Sequence, residues 1–134
     1  MPDASTWDLA GIPLFDELEP DELSAIAPWF ESQETSPGVN LTGEGCAGYS
    51  FYILCDGTAS VTVDGTEVNA LGPGDFFGEL AILGDGRRTA TVTTTSPARL
   101  LVLFGTEFRR LQQVHPELAE QIEAGVRARL QPAA

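Results

Sequence analysis

At 134 residues, 43% of them hydrophobic, the chain has the length and composition of one folded domain with a sizeable core. Twenty acidic against seven basic residues leave a net charge of −13, which excludes a nucleic-acid-binding surface because little is present to replace phosphate counterions. No stretch approaches the ~20 apolar residues of a membrane span, and no basic and apolar leader opens the sequence, so a cytoplasmic location is expected.

Residues 1–30 read as short helices. Leu14-Phe15 is followed by Leu18, and Pro20-Asp21-Glu22-Leu23 has the proline and acids of a first helical turn. Leu23, Ile26 and Ala27 form its apolar side, which Pro28 ends. From Glu31 to Leu71 the pattern changes to short strands and glycine turns. Val39 and Leu41 lie between Pro37-Gly38 and Gly43-Glu44-Gly45; Tyr49 to Leu54 is aromatic and β-branched; Ala59 to Val63 alternates with period two. Asp56-Gly57 marks a tight turn, and Asp64-Gly65 a hairpin that returns through Val68 and Leu71. Thr89 to Thr94 and Arg99 to Phe104 continue the strands beyond residue 88, separated by a Ser96-Pro97 turn. Many short strands at regular spacing predict a mostly β fold, an antiparallel barrel or jelly roll with helices at both ends. Over residues 105–131 two helices are expected. Thr106 is the expected N-cap of the first, and His115-Pro116-Glu117 starts the second. Phe108, Leu111, Leu118, Ile122, Val126 and Leu130 make their apolar stripe.

Residues 76–92 carry the chemistry. Gly72-Pro73-Gly74-Asp75 leads in as a loop. Glu79 to Leu83 reads as one apolar helical turn after Gly78. A glycine-containing loop then delivers Arg87 and Arg88, the first basic residues in a chain that has no lysine. Helix N-termini and arginine forks are common protein devices for holding phosphate, and a nearby carboxylate suits sugar hydroxyls. The trio therefore reads as phosphate plus ribose.

Phe77-Gly78-Glu79-Leu80-Ala81 followed by Arg88-Thr89-Ala90-Thr91-Val92 resembles the phosphate-binding cassette of cyclic-nucleotide-binding domains, the regulatory modules of cAMP-dependent kinase, cyclic-nucleotide-gated channels and catabolite-activator-type regulators. Flanking matches are Phe51-Tyr52-Ile53-Leu54 and Gly57 before the cassette, then Leu100 to Leu103, Phe108 and His115-Pro116-Glu117-Leu118 after it. The resemblance implies an antiparallel jelly-roll β-barrel and a short phosphate-binding helix. It makes Gly78, Glu79, Leu80, Ala81, Arg88, Thr89 and Ala90 the ligand-binding set, with Val61, Leu71 and Phe77 lining the pocket around sugar and base. Arg88, directly before the small residue of the next strand, takes the phosphate; Thr89 adds its backbone N–H. The implied ligand is cAMP, with cGMP second and no cofactor. A protein effector or a homodimer would receive the output.

Each residue also has a plainer reading. Glu79 can be a helix-start acid contributing a few tenths to about 1 kcal/mol, and Arg88 a surface arginine paired with Asp85 for ~0–1 kcal/mol. Val61 and Leu71 serve equally well as barrel core. His115 suits an interhelical corner. Cys46 and Cys55 lack metal-ligand spacing, and with one histidine no His/Cys metal site is expected. Three functions are therefore weighed: a non-catalytic cyclic-nucleotide sensor, the same fold acting without ligand as an interaction module, and a cupin-like jelly-roll enzyme. The last needs clustered metal ligands that the sequence does not supply. In catabolite-activator-type relatives the base contacts, dimer helix and DNA-binding domain come after the position of Ala134. A free-standing sensor and an excised domain are both open.

Overall fold

The computed structural model describes residues 12–15, 18–42, 50–78 and 90–129. A 3-10 turn (Pro13–Phe15), helix α1 (Pro20–Ile26) and a second 3-10 turn (Ala27–Trp29) precede eight strands. These are β1 (Glu31–Thr35), β2 (Asn40–Thr42), β3 (Ser50–Asp56), β4 (Ala59–Val63), β5 (Thr66–Leu71), β6 (Phe76–Phe77), β7 (Thr91–Thr94) and β8 (Ala98–Phe104). Helices α2 (Gly105–Val114) and α3 (Pro116–Arg129) follow. The strands form two antiparallel four-stranded sheets, in the orders β1-β8-β3-β6 and β2-β7-β4-β5. That is the order of an eight-stranded jelly roll.

The central strands of the first sheet, β3 and β8, are covered on both faces, and strand parity sorts their side chains between two cores. Phe51 and Ile53 of β3, Leu101 and Leu103 of β8 and Phe76 of β6 pack toward the helices, with Phe108, Leu111, Leu118, Ile122 and Val126. Tyr52, Leu54, Leu100, Val102 and Phe77 pack toward the second sheet, against Ala59, Val61, Leu71 and Val92. This explains why β8 reads as an unbroken apolar run. It also assigns the adjacent pair Phe76 and Phe77 to different cores.

Turn chemistry behaves as the sequence implies. Asp64 and Gly65 both have positive φ, 52° and 80°, the requirement of a two-residue hairpin that closes Val63 onto Thr66. Gly57, with φ 96°, joins β3 to β4 against the β7–β8 turn, where an added Cβ would lie 2.4 Å from the Pro97 carbonyl oxygen. Thr58 ties the two turns together: its N–H donates to Ser96 Oγ (2.9 Å) and its carbonyl accepts from the Thr95 N–H (2.9 Å).

Helix α1 starts with Pro20 after Glu19, whose backbone N–H donates to Glu22 Oε1 at 2.9 Å. The second carboxylate oxygen of Glu22 accepts from Gln121 Nε2 at 2.7 Å, linking α1 to α3. Gly125 lets α3 approach the N-terminal turn closely: a Cβ there would sit 3.1 Å from the Leu14 carbonyl oxygen. Helix α2 departs from expectation. It begins at Gly105 with Phe104 at the N-cap and no side-chain cap, which places Thr106 inside the first turn. The extended Phe104 (φ −68°, ψ 143°) passes directly from β8 into the helix, leaving no intervening residue to cap it.

The Glu22 link has a pH signature. The Glu19 N–H, and next the Gln121 amide, hold its carboxyl below the ordinary carboxylate value. A depressed folded value means that the stabilisation is present above the unfolded value and is lost as pH falls through the folded one. Thermal melts between neutral and acid pH should therefore show a smaller acid loss for Glu22→Gln than for the native chain. Parallel curves would mean that the link contributes nothing.

Candidate functional site

The approach to residues 76–92 is held by main-chain hydrogen bonds to β3. The Gly74 N–H donates to the Leu54 carbonyl at 2.7 Å, and the Leu54 N–H to the Asp75 carbonyl at 2.8 Å. Within the turn, the Asp75 carboxylate accepts from the Gly72 N–H at 2.8 Å, and Gly74 takes φ 93°. This loop delivers β6, whose two residues pair with β3 as Phe77 with Tyr52 and Phe76 with Ile53.

Gly78 follows at once, buried and with φ 78°. A left-handed backbone at a buried position favours glycine, so the residue heading the expected cassette adopts a conformation that other residues hold only under strain. Glu79, Leu80, Ala81, Arg87, Arg88, Thr89 and the expected short helix lie outside the described residues. Ala90, half-buried, leads directly into β7, where Val92 pairs with Val61. The segment therefore leaves the first sheet at Gly78 and re-enters the second at Thr91.

Of the expected pocket residues, Val61, Leu71 and Phe77 belong to one cluster between the sheets, with Leu54, Val92, Leu100 and Val102. Val61 and Leu71 are half-buried and Phe77 is 6% exposed. This apolar wall lies beside Gly78, at the point where the cassette begins. Tyr52, part of a strand and of the flanking family match in the sequence, is not among the expected pocket residues. It belongs to the same inter-sheet side, its ring stacked on Phe77 at 4.9 Å and 10°. Parity with Leu54 two positions on was the available signal.

Other candidates have structural settings. His115 occupies the corner between α2 and α3, with Nδ1 3.7 Å from Glu117. Cys55 is half-buried beside the helix-side core. Among the described residues, no group of three or more His, Cys, Asp or Glu is placed to hold a metal, and no helix is long and apolar enough to cross a membrane.

The sequence profile of a family described as "Cyclic nucleotide-binding domain" matches residues 33–115, more than half the chain, and that span takes in both sheets and the cassette. The chain belongs to this family. A cAMP-dependent protein kinase regulatory subunit of Colletotrichum orbiculare is 41% identical over 105 residues, covering 77% of this chain and 27% of that protein. The solved cAMP-bound PfPKA-R has 27% identity and a TM-score of 0.72, covering 91% of this chain and 44% of that one. The regulatory subunit of a cAMP-independent protein kinase A from Trypanosoma brucei has 26% identity and a TM-score of 0.77, covering 94% and 44%. This cyclic nucleotide-binding domain thus spans about a quarter of the length of the curated kinase subunits it matches.

Proposed function

We propose that this domain is a non-catalytic sensor of a cyclic nucleotide, with cAMP preferred over cGMP. The observation that carries the reading is Gly78: buried, left-handed, and placed where the cassette sequence begins beside the apolar wall of Phe77, Val61 and Leu71. In this reading backbone N–H groups after Gly78 and the Arg88 guanidinium hold the cyclic phosphate, with the Thr89 N–H adding to them. Glu79 accepts from the ribose hydroxyl, and the wall takes the apolar faces of sugar and base. With Arg87 and Arg88 the first cations of an acidic chain, an anionic ligand is favoured only where local contacts outweigh the surrounding repulsion, which salt screens beyond ~8 Å. The cAMP-bound relative and the kinase regulatory subunit support the choice of ligand.

The Trypanosoma relative, described as belonging to a cAMP-independent kinase, supports a second reading, in which the fold serves as an interaction module without cAMP. Calorimetric titration with cAMP and cGMP separates the two. Binding of cAMP, with cGMP weaker, is expected. No heat and no thermal shift at millimolar nucleotide would overturn the sensor, and a preference for cGMP would overturn only the order.

A sensor also needs an element whose position the ligand biases through differential contacts. The two residues of β6 reach both cores: Phe77 meets the pocket wall, while Phe76 packs on the helix-side core 5.5 Å from Phe51. Phosphate capture after Gly78 is thereby transmitted to α2 and α3, whose stripe of Phe108, Leu111, Leu118, Ile122 and Val126 can repack as a helix shift. Hydrogen exchange with cAMP should show altered protection at 106–129 as well as at 78–89. Protection confined to 78–89 would mean binding without switching.

A further inference from the structure

We infer that Tyr52 is a positioning residue for the nucleotide site, acting through Phe77 to set the backbone at Gly78; the inference deepens the cyclic-nucleotide reading and rests on it. Strand β6 is two residues long and its sheet partner is β3, so ladder hydrogen bonds alone hold it weakly. Side chains must add the rest, and β3 supplies an aromatic ring on each face. On the helix side Phe51 meets Phe76 with a tilt of 46°. On the pocket side Tyr52, directly opposite Phe77 in register, stacks on it almost flat.

The far end of Tyr52 reaches the second sheet. Its hydroxyl donates to the Leu41 carbonyl of β2 at 3.4 Å, so one side chain spans from the first sheet to the second with Phe77 against its face. The stack restrains the Phe77 side chain against β3, and through it the two-residue β6 from which the chain passes to Gly78. The next residue is Gly78, whose permissive backbone can take many directions unless its neighbours choose one. Tyr52 makes that choice through Phe77. Its hydroxyl bond is long, so the ring rather than the hydroxyl carries the effect.

The test uses the full chain with Tyr52→Phe, Tyr52→Leu, Phe77→Leu and the double variant, each shown folded by circular dichroism at the working temperature. Tyr52→Leu should weaken cAMP binding about three- to tenfold, the size of a lost aromatic pair. Tyr52→Phe should stay within about twofold of the native chain, since it loses only a weak hydroxyl bond. The double variant should bind no more weakly than Phe77→Leu alone, because both changes remove one stack. In the ligand-free protein the Gly78 amide should exchange faster in Tyr52→Leu, while those of Leu101 and Leu103 stay protected. Native-like affinity in folded Tyr52→Leu, or losses that simply add, would overturn the proposal. If Tyr52→Leu does not fold, Tyr52→Met, ringless and of comparable reach, carries the same comparison. Should the native chain take up no cAMP, the sensor reading itself fails. The role of Tyr52 at a nucleotide site then falls with it, and the ligand-free exchange still separates the two failures: unchanged Gly78 exchange also refutes control of the Gly78 backbone by Tyr52, and faster exchange upholds that control alone.

Discussion

Replacing Arg88 by alanine is expected to weaken cAMP binding by ~2–3 kcal/mol, roughly 30- to 150-fold, because a charge-assisted fork to the phosphate is lost. Few other cations stand in for it. The chain has seven basic residues, none before Arg87, and the described ones lie on β8, α2 and α3. Arg99 meets Asp56 at 3.5 Å, Arg110 meets Glu107 at 3.7 Å and also covers the Trp29 ring, and Arg127 meets Glu123 at 3.7 Å. Arg87 is adjacent in sequence, yet with the phosphate assigned to Arg88 its removal should cost under ~1 kcal/mol, as for an exposed charge. Titration of the two single variants checks the assignment. Equal losses would show that the phosphate arginine has been placed in the wrong register.

Gly57→Ala is expected to destabilise the fold by about 2–4 kcal/mol, from a left-handed backbone penalty plus overpacking against main chain. The added methyl would meet the Pro97 carbonyl oxygen at 2.4 Å and Ala98 Cα at 2.8 Å. Neither is the flexible end of a side chain, so relief requires the β3–β4 or β7–β8 turn to move. Both turns are joined through Thr58, Thr95 and Ser96, with the two threonine hydroxyls 2.7 Å apart, and shifting one strains the other. Urea unfolding would read the change as a lowered midpoint at constant slope. Gly65→Ala makes a useful comparison: its φ of 80° carries the backbone penalty, but nothing lies within 4 Å of the added methyl. Equal losses at the two positions would assign the whole Gly57 effect to backbone conformation and remove the packing argument.

The sequence alone determined much of this protein, wherever local chemistry sufficed. Asp64-Gly65 specifies its hairpin because few other pairs accept two positive φ values in succession. Pro20 and Glu22 specify the start of α1, and Pro116 that of α3, because proline and early acids suit a first turn. The cassette motif points to the family from sequence alone, because Phe77-Gly78-Glu79-Leu80-Ala81 and Arg88-Thr89-Ala90-Thr91-Val92 resemble the family pattern in residue type and spacing, and the family profile matches residues 33–115. Other features were decided by tertiary structure. Strand β1, Glu-Ser-Gln-Glu-Thr, has no apolar alternation and is a strand because it pairs along β8 from Glu31 with Val102 to Thr35 with Ala98. Thr106 resembles a cap, yet continuation of β8 through Phe104 starts the helix two residues earlier, at Gly105. The division of Phe76 and Phe77 between two cores, and the stack of Tyr52 on Phe77, depend on which faces of β3 and β6 are covered. Propensity and motif act within a few residues. Burial of a strand face is a property of the sheet and helices laid against it, and those come from positions far away in sequence, as Phe51 and Ile122 do in the helix-side core.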